Sequence, residues 1–288
     1  MIKKTINVLG LCALLSFSSC FDTIEEFTVN ADGTGSYTVT MDMFKMVEMM
    51  MSMGGEEKMK SDPEYNEVKD STFFFKDIIQ EVPDLTEEEK VLFRDARFDM
   101  HMAMKEKAMN FKFTFPVTKY GDFNAIYQNS MKASSAMEKK LKSEKEEEAS
   151  SEVSEVVQHP GDASSSHGPK TAQSPKPAGG NSMMPKKGGN DFMKSAEMYN
   201  LEIRDGFFSK QVIKEKFKAA MEKDSSVQMM KPMLKDANIS TIVHFPRPVK
   251  KVDSDRATLS GDRKTVTLKI SMSDYLEHPE YMNFKVEY

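Results

Sequence analysis

Cysteine is nearly missing from this chain and tryptophan is missing altogether: 288 residues carry Cys12, Cys20 and no Trp. Cys12 lies inside an N-terminal apolar run, so no disulfide can form beyond Cys20 and a disulfide-stapled scaffold is excluded. Long apolar runs are scarce too. Val8 to Leu15 falls well short of the roughly 20 residues that a membrane-spanning helix needs. No long Lys/Arg block offsets the formal net charge of -5, and an acidic balance repels phosphate backbones, so nucleic acid is not an expected partner. There is also no nucleophile elbow, phosphate-cradling glycine loop or zinc-protease helix. Paired carboxylates occur throughout a chain this acidic and carry no information. The expectation is therefore no enzyme, no catalytic residue, no cofactor and no metal.

What is present begins at the N-terminus. Lys3 and Lys4 form a basic start, the apolar run follows, and the small residues Ser18 and Ser19 stand directly before Cys20. That is the three-part layout of a secretory signal over residues 1–19. Phe17-Ser18-Ser19-Cys20 resembles the lipobox of bacterial lipoproteins, with Phe17 where the family usually has Leu. The resemblance implies a lipidated Cys20 carrying palmitate-class acyl chains, each buried methylene contributing about 0.8 kcal/mol. Ordinary cleavage after Ser18 is the alternative. Asp22, Glu25 and Glu26 behind Phe21 resemble the surface-export signal of Bacteroidetes lipoproteins; a plain acidic tether is the other reading. The implied location is the cell envelope, membrane-anchored and extracytoplasmic, at the outer membrane.

Period-two patterning starts at once. Phe27 and Val29 alternate with polar residues, Asp32-Gly33-Thr34-Gly35 supplies a tight turn, and Tyr37, Val39, Met41 and Met43 alternate beyond it. Met43, Met46, Val47, Met50 and Gly54 then share one helical stripe. An apolar patch follows at Phe73-Phe74-Phe75, and Asp84 or Thr86 is placed to cap a short helix through Val91-Leu92-Phe93. A second hairpin joins Phe98, Met100, Met102 and Met104 to Met109, Phe111, Phe113 and Phe115, with Pro116 expected to stop the ladder. Phe123, Ile126, Tyr127 and Met131 predict a helix after it.

Between Lys142 and Asp191 there is no Leu, Ile, Phe or Tyr. Such a stretch cannot bury enough apolar area to offset its ordering entropy and reads as a disordered insertion over 142–191. Patterning resumes at Phe192. Strands are expected at Met198–Ile203 and Phe207–Val212, a helix through Ile213, Phe217, Ala220 and Met221, and strands around Ile239–Phe245, Ala257–Leu259, Val266–Ile270 and Met282–Tyr288. The expected fold is α+β, a mainly antiparallel sheet covered by helices on one face. Residues 20–141 and 192–288 form its two parts.

The order of elements, with Cys20, the Asp32–Gly35 turn and the closing strands around Pro246, resembles the LppM-type envelope lipoproteins. That resemblance implies binding of lipid or another hydrophobic ligand rather than catalysis, with no ligand residues carried over. The 25 Met fit the same expectation, because Met and Phe faces can line an adaptable groove or fill a core. Soft-metal binding is the lesser reading of Met100, Met102 and Met104. None of the five His has i, i+4 ligand spacing. A hydrolase would need His101 or His244 beside a carboxylate in a cleft, and Asp253 and Asp255 read as a solvated turn rather than a Ca²⁺ site. The alternative to ligand binding is a structural or assembly subunit that holds an envelope partner by a sheet edge or by the insertion.

Overall fold

The computed structural model describes residues 22–44, 48, 66–82, 85–151, 193–223 and 237–288. The stripe from Met46 to Gly54 and most of the 142–191 stretch lie outside them.

Strand β1 (Asp22–Val29) begins two residues after Cys20 and turns back into β2 (Gly35–Asp42). The Asp32 carboxylate holds the turn, accepting from the Thr34 N–H at 3.0 Å and the Thr34 hydroxyl at 2.7 Å. Gly33 sits at φ 85, and a Cβ there would meet the Tyr120 ring at 2.7 Å. Next come β3 (Val68–Phe74), helix α1 (Glu87–Phe93), β4 (Arg97–Ala103) and β5 (Ala108–Val117). Thr86 caps α1: its side chain accepts from the Glu89 N–H while the Glu89 carboxylate accepts from the Thr86 N–H. Helix α2 (Tyr120–Ser151) follows β5.

The second part contributes β6 (Tyr199–Arg204), β7 (Phe207–Val212), α3 (Lys214–Lys223), β8 (Asn238–His244), β9 (Lys251–Asp253), β10 (Ala257–Leu259), β11 (Thr265–Ser271), α4 (Met272–Glu277) and β12 (Phe284–Glu287). Among the described residues these strands form an eight-stranded sheet, in the order β10-β11-β8-β1-β2-β5-β4-β3, and a four-stranded sheet, β6-β7-β12-β9. The α+β class and the dominance of antiparallel pairing are as the patterning predicts.

Several details differ from the expectation. β8 lies beside β1 in parallel, with Glu25 level with Thr241 and Phe27 with Val243; the long chain between them permits this return. Pro116 does not end the ladder. It sits inside β5 opposite Ser36, beyond Thr114, where β4 stops pairing with β5, so one edge of the strand is free of a ladder there and tolerates a residue without an N–H. The Phe73–Phe75 patch is the end of an edge strand, β3, and a 3-10 turn. Lastly, the covered face of the large sheet meets the second sheet as well as helices.

That covered face holds the core. Phe27 stacks on Tyr37 at 4.8 Å, Phe98 on Phe113 at 4.5 Å, and Phe115 meets Phe93 and Phe113 at 5.7 and 6.4 Å. Phe208 of β7 reaches across from the second sheet to Phe27 at 5.5 Å. Phe123, Ile126 and Tyr127 of α2 are buried against the same layer. The opposite face is largely polar: Glu26, Thr38, Thr114 and Arg97 lie in register across β1, β2, β5 and β4.

One pair of charges lies inside this core. Lys210 of β7 is 1% exposed and Glu25 of β1 is 8% exposed. The Lys210 ammonium donates to the Glu25 carboxylate and, at 3.2 Å, to the Thr241 hydroxyl of β8. Thr241 donates to Glu25 at 3.2 Å, and the ammonium lies 4.5 Å from the Tyr199 ring centroid. The pair joins the two sheets, and each ion needs the other because a lone buried charge is costly. Lys210→Met alone should destabilise the fold by about 3–5 kcal/mol, read as a fall in denaturant midpoint. Adding Glu25→Leu to it should return stability to the parent level or above. A double variant no more stable than the single one would contradict this assignment.

Candidate functional site

Cys20 lies outside the described residues, which resume at Asp22. Of the histidines, His101 accepts or donates at Nδ1 to Asp70 at 2.7 Å. His244 places Nε2 2.7 Å from Glu26 and Nδ1 3.0 Å from the Thr265 hydroxyl. Each therefore has its carboxylate, but the pairs stand on the polar sheet face on separate strands, and neither belongs to the pocket formed by the described residues. His278 lies against Tyr281 with ring centroids 4.9 Å apart; His159 and His167 lie outside the described residues. Asp253 ends β9 and Asp255 occupies the next turn, both exposed. Among the described residues no three His, Cys, Asp or Glu side chains converge on a possible metal position.

Met100 and Met109 pack against the aromatic layer, and Met102 faces Met109 across the β4–β5 pair. Among the described residues, this part of the Met/Phe face is packed against the aromatic rings.

A pocket of about 400 Å³ opens elsewhere, lined by Arg204, Asp205, Gly206, Phe207, Arg247, Lys250, Glu287 and Tyr288. Three chain segments build it. The β6–β7 turn needs Gly206, at φ 75, and its carbonyl accepts from the Tyr288 N–H at 3.1 Å. The segment leaving β8 brings Arg247 and Lys250, and the Lys250 N–H donates to the Glu287 carbonyl at 2.7 Å. The end of β12 supplies a buried Tyr288, whose hydroxyl donates to the Arg204 carbonyl at 3.0 Å. Burial raises that phenol's pKa well above its ordinary value, so it is a neutral donor.

Both arginines are held by rings. The Arg204 guanidinium lies 4.2 Å from the Phe207 centroid and donates at Nε to Glu202 at 3.0 Å. Arg247 lies 5.5 Å from the Tyr288 centroid and donates at Nη2 to Asp205. Lys250 donates to the Tyr288 carbonyl at 3.1 Å. Arg204-Asp205-Gly206 has ordinary turn composition; a cationic turn followed by a second Arg between Pro246 and Pro248 was the available signal.

The remaining unusual chemistry is sealed. Tyr37, Tyr127 and Tyr199 surround the Lys210–Glu25 pair, and Tyr275 lies beside Tyr199. The Tyr127 hydroxyl has no hydrogen-bond partner among the described residues. Burial is the main cause that raises all four phenol pKa values; Glu25 adds to it at Tyr37 and Tyr127, and Tyr275 adds to it at Tyr199. This cluster holds layers together rather than facing a ligand.

No protein-family model and no curated protein matches the chain. Among solved structures, the folded domain of Mycobacterium tuberculosis LppM, determined by NMR, is similar over 93% of this chain and 90% of that one. The identity is 9% and the TM-score 0.34. A likeness of that degree assigns neither family nor function.

The phenols give a pH test. Below the ordinary phenol pKa of about 10 both folded and unfolded chains are protonated and nothing is lost. Above it the unfolded chain ionises while the buried phenols do not, so stability falls as pH rises. Phenolate absorbance should therefore show the exposed tyrosines titrating first and the buried group ionising only together with loss of tertiary structure. All tyrosines titrating in one transition with the fold intact would refute it.

Proposed function

We propose that the chain is a lipid-anchored extracytoplasmic lipoprotein with a non-enzymatic binding ectodomain, held at Cys20 in the outer membrane of a Bacteroidetes-type envelope. Its ligand face is the polar pocket, not the apolar interior. The observation that supports this reading is that the pocket lies toward the far end of β1 from Asp22, the first described residue. Cys20 can lie at most about 7 Å from Asp22. From Asp22 the central strand β1 runs seven residue steps to Val29, roughly 23 Å, away from the anchor. Phe208, next to the pocket turn, meets Phe27 toward that far end, and Arg247 follows β8 just past His244, which is level with Thr28. An anchored molecule of this build presents the pocket away from its own bilayer, where a soluble ligand or a partner's polar group reaches it.

The filled Met/Phe layer favours a polar over a hydrophobic ligand. A second reading, an assembly subunit, is favoured by β3, which ends the large sheet and leaves Val68 55% and Phe74 45% exposed. Such an edge suits strand addition by a partner protein.

The anchor is tested by Cys20→Ser. Wild type should incorporate labelled palmitate and sediment with membranes, whereas the variant should lose the label and appear in the soluble extracytoplasmic fraction. A variant that still carries the label on the membrane would overturn the anchored reading.

A further inference from the structure

We infer that the polar pocket binds a small hydroxylated molecule through one anionic group, a carboxylate or a phosphate, seated on Arg204 and Arg247. This rests on the reading of the pocket as the ligand face and adds its chemistry.

Aromatic rings hold both guanidiniums. A guanidinium laid on a ring keeps its plane fixed, while its five N–H groups stay at the edge, available to acceptors. Arg204 on Phe207 and Arg247 near Tyr288 are both restrained in this way. Each spends one nitrogen on a neighbouring carboxylate, Arg204 Nε on Glu202 and Arg247 Nη2 on Asp205. Their other N–H groups make no hydrogen bond to the described residues. These are exposed pairs, with side-chain exposures of 61% and 49% for the arginines, so their own ion pairs contribute little to stability. Pre-set forks with open donors match the two oxygens of a carboxylate or a phosphate.

The rest of the lining narrows the class. Lys250 adds a third cation, while Asp205 is already paired with Arg247. Glu287 also lines the pocket, and no ion pair is shown for its carboxylate among the described residues. A second anionic group on the ligand would face that carboxylate; a hydroxyl would donate to it. Peptide groups are also in reach, since the β6–β7 turn and the end of β12 contribute backbone to the lining. A volume of about 400 Å³ is in the range of small-ligand sites and suits one hexose-sized acid. Acidic sugars, as uronates or sugar phosphates, have this combination of one charge and several hydroxyls.

The test uses the soluble Cys20→Ser protein, so the anchor plays no part and its failure is scored separately. Glucuronate, glucose 6-phosphate and glucose are titrated at low ionic strength by calorimetry, alongside vesicles containing an anionic phospholipid. Both acids should bind and glucose should not, with affinity falling as salt rises. Arg204→Gln should weaken the acids at least tenfold while leaving the thermal midpoint near the parent value; Arg247→Gln provides a second variant at the same fork. Binding of the acids without the vesicles assigns a soluble ligand, and binding of both assigns a headgroup. Equal binding of glucose, no binding of either acid, or acid binding unchanged in both Arg variants would overturn the proposal.

Discussion

A buried Lys–Glu pair is the interaction on which this architecture turns. Two antiparallel sheets can pack at many offsets when their facing sides are only apolar, because dispersion and burial are not directional. Lys210 and Glu25 remove that freedom. The observed placement of β7 over β1 and β8 lets the ammonium reach both Glu25 and Thr241, and an offset that parted them would leave a charge in an aromatic layer. The rings of Tyr199 and Tyr127 around the ammonium complete a shell in which every alternative is worse. The pair adds little net stability over an apolar substitute, and its value here lies in fixing one offset.

That offset has a consequence at the end of the sheets. The β6–β7 turn, the segment after β8 and the end of β12 come from separate parts of the chain, yet they meet around Gly206 and Tyr288. With Lys210 on Glu25, the strand brings Phe208 to Phe27 and sets the turn at Gly206 against the exit of β8. The pocket is thus a product of sheet alignment rather than of a local motif. β1, meanwhile, is central in the large sheet, and its far end points toward the pocket.

How much of this was legible follows from where the information lies. The β1–β2 and β4–β5 hairpins were readable because alternation and turn chemistry are local: Asp32-Gly33-Thr34 makes its own hydrogen bonds, and Phe98 to Phe115 alternate without interruption. The cap at Thr86 was local too. β3 was missed because an edge strand need not bury a face, and Val68-Lys69-Asp70-Ser71 shows no apolar alternation. The parallel β1–β8 pair joins strands far apart in sequence, and nothing in either strand names the other. Pro116 misled because its cost depends on where β4 ends. The ion pair did leave a trace: Glu25 shares the inward register of Phe27, and Lys210 that of Phe208. Two opposite charges in inward positions on separate strands invite pairing, but period-two reading alone does not pair them. The pocket left less, since its lining is assembled from three short segments with ordinary turn composition.

Recognition at the cationic pocket, with the aromatic interior serving only as core, is the proposal on which the functional reading stands or falls. Native mass spectrometry of the Cys20→Ser ectodomain, exported into and purified from its own envelope without detergent, tests that most directly. The expected result is a stoichiometric adduct of a small acidic, hydroxylated molecule that disappears with Arg204→Gln. An adduct with lipid-like fragments that persists in the Arg204 variant would contradict it and return the ligand to the Met- and Phe-lined interior.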